Sequence, residues 1–161
     1  MIYAVEGDIL LTRAQVIAHG VAANDPMIQG LAKTLREHFP EMHRAFHQWC
    51  HQHHPKAGEI WLWDGLKTKL IVNLIIQQGG YCHESTTRKS SPSYIRHALH
   101  DLKKMAIKQH WQSIALPRLA TGICDLEWSQ TWEIIQQEFA DLSIPIYVYV
   151  NYLPKTQAIE P

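Results

Sequence analysis

Three short stretches of this sequence carry residue types that could hold a nucleotide with little help from cationic side chains. Glu6-Gly7-Asp8-Ile9 follows an apolar run. A carboxylate just past a strand can accept the exocyclic amine of a purine while the next backbone N–H reads a ring nitrogen. Gly-Asp is also a common turn and cap pair. His19 to Ala32 ends in Gly30-Leu31-Ala32 at a helix start, and Pro117-Arg118-Leu119-Ala120-Thr121-Gly122-Ile123-Cys124 leads toward another. Each brings backbone N–H groups near a helix N-terminus, where an anion is held without Lys or Arg. Two such loops on one cleft suit a diphosphate. Elsewhere, His43, His47 and His51 fall at i, i+4, i+8 on one helix face, with His53 and His54 behind them. Two such histidines can ligate zinc, but no catalytic Glu or third ligand stands at the motif spacing. A solvated helix face is the plainer reading, and no metal site is expected.

The elements that must position these stretches can be read from periodicity. Ile2 to Val5 and Val16 to Ala18 are short strand-like runs, the second closed by His19-Gly20. Gly30 opens a helix through Phe39, and Pro40 at a first helical position starts another through about His51, with Met42, Ala45, Phe46 and Trp49 inward. Glu59 to Trp63 and Lys69 to Ile76 read as a hairpin through Asp64-Gly65, the second strand apolar on both faces. Gly79 to Ser91 is a long polar loop. Pro92 to about Lys108 is an amphipathic helix, Ser113 to Leu116 a strand, Trp128 to Phe139 the last helix and Ile146 to Val150 the last strand. Strands alternating with helices, plus one hairpin, predict an α/β fold: three α/β/α layers around a mixed central sheet. One domain is expected over residues 1–153, followed by a short tail, 154–161. Ligands of such sheets sit at the carboxyl ends of the strands. The loops after Val5, Ala18, Ile76, Leu116 and Val150 are therefore expected on one edge.

Composition narrows the class. Of 161 residues 46% are hydrophobic and 19% charged, a globular balance rather than a disordered one. Fifteen basic residues offset fifteen acidic ones, so duplex DNA is not expected to be held by charge alone. The longest apolar run, Leu70 to Ile76, contains Asn73 and is far short of the roughly 20 residues of a membrane span. No leader pattern follows Met1, and Cys50, Cys82 and Cys124 suit free thiols. A cytoplasmic monomer without a cofactor is expected.

Taken in order, Glu6-Gly7-Asp8-Ile9, Met27-Ile28-Gln29-Gly30-Leu31-Ala32, Asn73-Leu74-Ile75-Ile76-Gln77, Leu116 to Ile123 and Val148-Tyr149-Val150 resemble a macrodomain, the ADP-ribose-binding fold. The resemblance covers Ile2 to about Leu153. It is greatest to the branch that removes terminal ADP-ribose from protein carboxylates, a branch that includes DNA ADP-ribosylation antitoxins and a phosphatase of ADP-ribose 1″-phosphate. It implies Asp8 on the adenine amine, Ile9 as a backbone contact, and Gly30, Leu31 and Ala32 beside one phosphate. Thr121, Gly122, Ile123 and Cys124 would wrap the other phosphate and the distal ribose, and Tyr149 and Asn151 would border the adenosine. The implied ligand is ADP-ribose, free or attached to protein or nucleic acid.

Departures bear on the chemistry. The hydrolase branch has a nucleophilic Lys just after the central strand, where this chain has Gln77, an amide that cannot form the covalent adduct and is expected only to bind the ligand. Ile28 stands where a Gly is usual. Three residues remain candidates for catalysis: Asp125 as a general base for water, His19 as a base or a partner of the distal ribose hydroxyls, and His83, near Arg88 and Lys89, folding over a terminal phosphate. The expected function is ADP-ribose binding with hydrolysis of the 1″ linkage. A non-catalytic reader is the first alternative, and a metal- or nucleic-acid-associated protein the second.

Overall fold

The run Leu-Ile-Val-Asn-Leu-Ile-Ile of residues 70–76 is apolar at successive positions because both its faces are covered. The computed structural model describes residues 1–65, 69–77, 91–119 and 126–161. Six strands are described, β1 (Ile2–Gly7), β2 (Val16–Ala22), β3 (Ile60–Asp64), β4 (Leu70–Gln77), β5 (Ile114–Pro117) and β6 (Ile146–Tyr152), in the order β1-β6-β5-β2-β4-β3. Every pairing is parallel except β3 with β4, so the sheet is mixed. The carboxyl ends of β1, β2, β4, β5 and β6 therefore share one edge, as the alternation of elements predicts.

Helices α1 (Gly30–His38) and α2 (Pro40–His53) cover one face and α3 (Pro92–Lys108) and α4 (Trp128–Glu138) the other. Strand alternation sorts the side chains between them. Val72, Leu74 and Ile76 meet Ile95, Leu99, Leu102 and Ile135 on the α3/α4 side. Ile71 and Ile75 meet Leu35, Met42, Phe46 and Cys50 on the α1/α2 side. Pro40 and Pro92 stand where proline costs a helix least, and the Ser91 hydroxyl caps α3 by accepting from the Tyr94 N–H at 3.2 Å.

The α1/α2 side is not roofed by helices throughout. Over β1, β6 and β5 the covering chain is a short 3-10 turn, Ile9–Leu11, together with residues 154–161. Those last residues, expected as a tail, lie against the sheet. Thr156 accepts from the Asp8 N–H at 2.7 Å, Ala158 packs beside Tyr147 and Tyr149, and the Tyr147 hydroxyl donates to the Pro161 carbonyl at 2.6 Å.

β1, β2 and β6 outrun their sequence boundaries by two residues or more. β1 continues through Glu6 and Gly7 because β6 keeps pairing with it, opposite Asn151 and Tyr152. β2 does not close at His19-Gly20 but runs to Ala22 alongside β4, with His19 opposite Asn73 and Ala22 opposite Gln77. Two residues that look like terminators are thus accommodated in a strand whose neighbour runs alongside it throughout. Gly79 to Ser91, except Ser91 itself, lies outside the described residues.

Candidate functional site

At the shared edge a cleft of about 400 Å³ opens between four separate segments. Its walls are Ile9 and Leu10 after β1, Gly30, Leu31 and Thr34 from the first turns of α1, Pro117 and Arg118 at the end of β5, and Tyr149 and Tyr152 on β6. Of the expected ligand residues, Ile9, Gly30, Leu31 and Tyr149 meet here.

Asp8 stands behind Ile9 and is only 7% exposed. One carboxylate oxygen accepts from the Leu10 N–H at 3.0 Å and so caps the 3-10 turn; the other accepts from the Lys155 N–H at 3.0 Å. The two readings of Gly-Asp, cap and ligand group, thus fall on one side chain. Each oxygen has a second lone pair for a further donor.

Gly30 has φ +58, a left-handed conformation glycine adopts without strain, and space is open where a side chain would start. No side chain caps α1 at Gln29, which leaves its first N–H groups for water or an anion. The preceding turn is pinned by Asp25, which accepts from the Ala22 N–H at 2.9 Å and the Met27 N–H at 2.8 Å. Met27 is buried, so Ile28 is turned outward, 51% exposed. Arg118 is the cation of the cleft wall, its guanidinium 5.1 Å from the centre of the Trp128 ring.

Tyr149 turns its ring to the cleft and its hydroxyl away. The hydroxyl donates to Glu160 at 2.6 Å, and that carboxylate also accepts from the Thr12 hydroxyl and, at 2.9 Å, from the Arg13 N–H. Burial, followed by the adjacent carboxylate, pushes the Tyr149 phenol well above its ordinary pKa.

His19 is not at a strand end. It lies within β2, 2% exposed, and its Nε2–H donates to Asn73 Oδ1 at 2.6 Å. Asn73 in turn donates to the Met42 sulfur at 3.6 Å. Burial lowers the His19 pKa from 6.5 to about 4, the Asn73 bond opposing the shift only in part. The side chain is a neutral core group and does not line the cleft. Three other expected ligand residues also stand off it. Ala32 packs into the α1/α2 core, Asn151 donates to Glu6 at 2.8 Å, and Gln77 ends β4 opposite Ala22. His83, Thr121, Gly122, Ile123, Cys124 and Asp125 lie outside the described residues.

Leu10, Thr34, Pro117, Arg118 and Tyr152 line the cleft without having been expected there. Arg118 and Pro117 stood within a quoted loop, and Tyr152 continues β6 three residues beyond Tyr149, so proximity in sequence was the signal for all three. In the histidine cluster, the His43 and His47 rings lie 4.4 Å apart and His51, His53 and His54 are exposed. No group of three metal-ligating side chains comes together among the described residues. No helix there is long and apolar enough to cross a membrane.

A sequence model of the Macro domain matches residues 21–135. A DNA ADP-ribosyl transferase–DNA ADP-ribosyl glycohydrolase fusion protein of Thermosipho africanus is 25% identical over 162 residues, covering 91% of this chain and 41% of that protein. A DNA ADP-ribosyl glycohydrolase of Thermus aquaticus is 25% identical over 168 residues, covering 100% of this chain and 44% of that protein. The chain thus spans less than half the length of these curated relatives. Among solved structures, the macrodomain of Thermus aquaticus DarG superposes with TM-score 0.83 at 24% identity, covering 93% of this chain and 98% of that one. Thermosipho africanus DarTG in complex with ADP-ribose gives TM-score 0.81 at 22% identity, covering 98% of this chain and 43% of that one.

Proposed function

Because the chain belongs to the Macro domain family, we propose that its cleft takes ADP-ribose and that the protein removes ADP-ribose from a modified nucleic acid. One observation carries the reading: three segments far apart in sequence deliver Ile9, Gly30, Leu31 and Tyr149 to one cleft, with an uncapped helix start on its wall. The curated relatives named as DNA ADP-ribosyl glycohydrolases supply the substrate class.

In this reading Asp8 accepts the adenine amine, the Ile9 N–H donates to the ring, and Tyr149 lies along the adenosine. The first N–H groups of α1 hold one phosphate. Thr121 to Cys124 hold the other phosphate and the distal ribose. Hydrolysis places a water on the anomeric carbon: the water oxygen bonds to that carbon as its bond to the modified base breaks. Asp125 takes the water proton and the departing base gains one. His19, neutral and buried, supports the sheet beneath rather than touching the sugar.

The non-catalytic reader stays as a second reading on one observation, Gln77 in the place of the branch's lysine. Calorimetric titration with ADP-ribose, then mass analysis of an oligonucleotide carrying ADP-ribose on a base, separates the two. Saturable binding with release of ADP-ribose supports the enzyme. Binding with an intact oligonucleotide supports the reader, and absence of binding overturns both.

A further inference from the structure

Residues 154–161 contribute no wall to the cleft, yet they hold two of its purine-end residues from behind. The Lys155 N–H donates to Asp8, and Glu160 accepts from Tyr149, Thr12 and Arg13 at once. Tyr149 is 5% exposed and belongs to the apolar cluster that holds Val5, Ile9 and Ala158, so its hydroxyl depends on the acceptor built for it. Lys69, whose ammonium donates to the Thr12 and Ala14 carbonyls, fixes the backbone on the other side of that carboxylate.

We propose that Glu160 is a positioning residue for the purine: by accepting from the Tyr149 and Thr12 hydroxyls and the Arg13 N–H, it fixes the Tyr149 side of the cleft wall, beside Ile9, along which the adenine lies. The proposal rests on the reading of the cleft as an ADP-ribose site. Without the carboxylate, the Tyr149 and Thr12 hydroxyls lose their common acceptor and the ring is no longer tethered. The start of α1, which takes a phosphate in that reading, shares none of these bonds.

The test compares ADP-ribose, AMP and ribose 5-phosphate, using ligand-observed NMR for the weaker two. Glu160→Ala is expected to weaken ADP-ribose and AMP about tenfold and to leave ribose 5-phosphate within about twofold. Glu160→Gln, which keeps one acceptor oxygen, is expected to fall between. Tyr149→Phe removes the same bond from its other end. The double variant should then lose no more than Glu160→Ala alone, because the Tyr149 bond is already lost in it. Equal weakening of all three ligands, unchanged AMP affinity, or losses that multiply in the double variant would each overturn the role. If Glu160→Ala does not fold, Glu160→Gln with Tyr149→Phe carries the same comparison. Failure of the unaltered protein to bind ADP-ribose removes the nucleotide reading itself, a result no Glu160 variant can produce.

Discussion

A histidine enclosed between two strands has to fold without its proton, and His19 does so with Asn73 as partner. Its folded pKa, about 4, lies below the ordinary 6.5. The unfolded chain therefore binds the proton first as pH falls, and stability present above pH 6.5 is lost progressively toward pH 4. For a fully buried group the span corresponds to roughly 3 kcal/mol. Thermal melts at pH 7.5 and pH 5 are expected to show a smaller acid loss for His19→Gln than for the unaltered protein; identical losses would exclude His19 as the source. Asp8 offers a second residue-scale test. Since its carboxylate caps the 3-10 turn and holds Lys155, Asp8→Ala should cost about 1 kcal/mol of stability as well as ADP-ribose affinity. Asp8→Asn keeps an acceptor oxygen and should recover more of the melting temperature than of the binding. Parallel melts and titrations of the two variants check that separation.

Between elements, the packing of residues 154–161 on β1 depends on Gly7. A Cβ there would lie 2.8 Å from the Ala158 nitrogen and 2.8 Å from the Thr156 carbonyl oxygen, both backbone atoms that cannot rotate away. Gly7→Ala is expected to destabilise the protein by about 1–3 kcal/mol. Faster amide exchange at residues 155–160 than in β6 would show that the segment lifts; uniform exchange would show that it does not. This element also marks where the sequence stops being legible. Pro92 to Lys108 was readable because each apolar position repeats with the helical period and Pro92 fixes the start. β2 was read short because His19 and Gly20 look like breakers, and their tolerance depends on β4, more than fifty residues away. Asp8 was visible as a carboxylate beside a glycine after a strand. Glu160 was not, because the groups it meets, Thr12, Arg13 and Tyr149, are adjacent only after the sheet has formed.

Across the whole molecule, the cleft and the main hydrophobic cores occupy different regions. The ligand edge is assembled from strand ends and turns, whereas the large apolar side chains fill the two helix-covered faces. The formal charge is zero, and among the described cleft walls Arg118 supplies the cation while the rest are apolar, hydroxyl or backbone. The six tryptophans follow the same division. Trp49, Trp61 and Trp63 gather on the α1/α2 side, with Trp49 and Trp61 stacked 6.0 Å apart; Trp111, Trp128 and Trp132 lie on the α3/α4 side. Trp128 is the indole beneath Arg118, so an anion that draws the guanidinium into the cleft alters the charge above an emitting ring. The protein thereby carries its own optical reporter: ADP-ribose should shift the tryptophan emission, and Trp128→Phe should abolish that shift while binding measured by calorimetry persists. The cation that faces the ligand is also the one that makes its arrival visible as light.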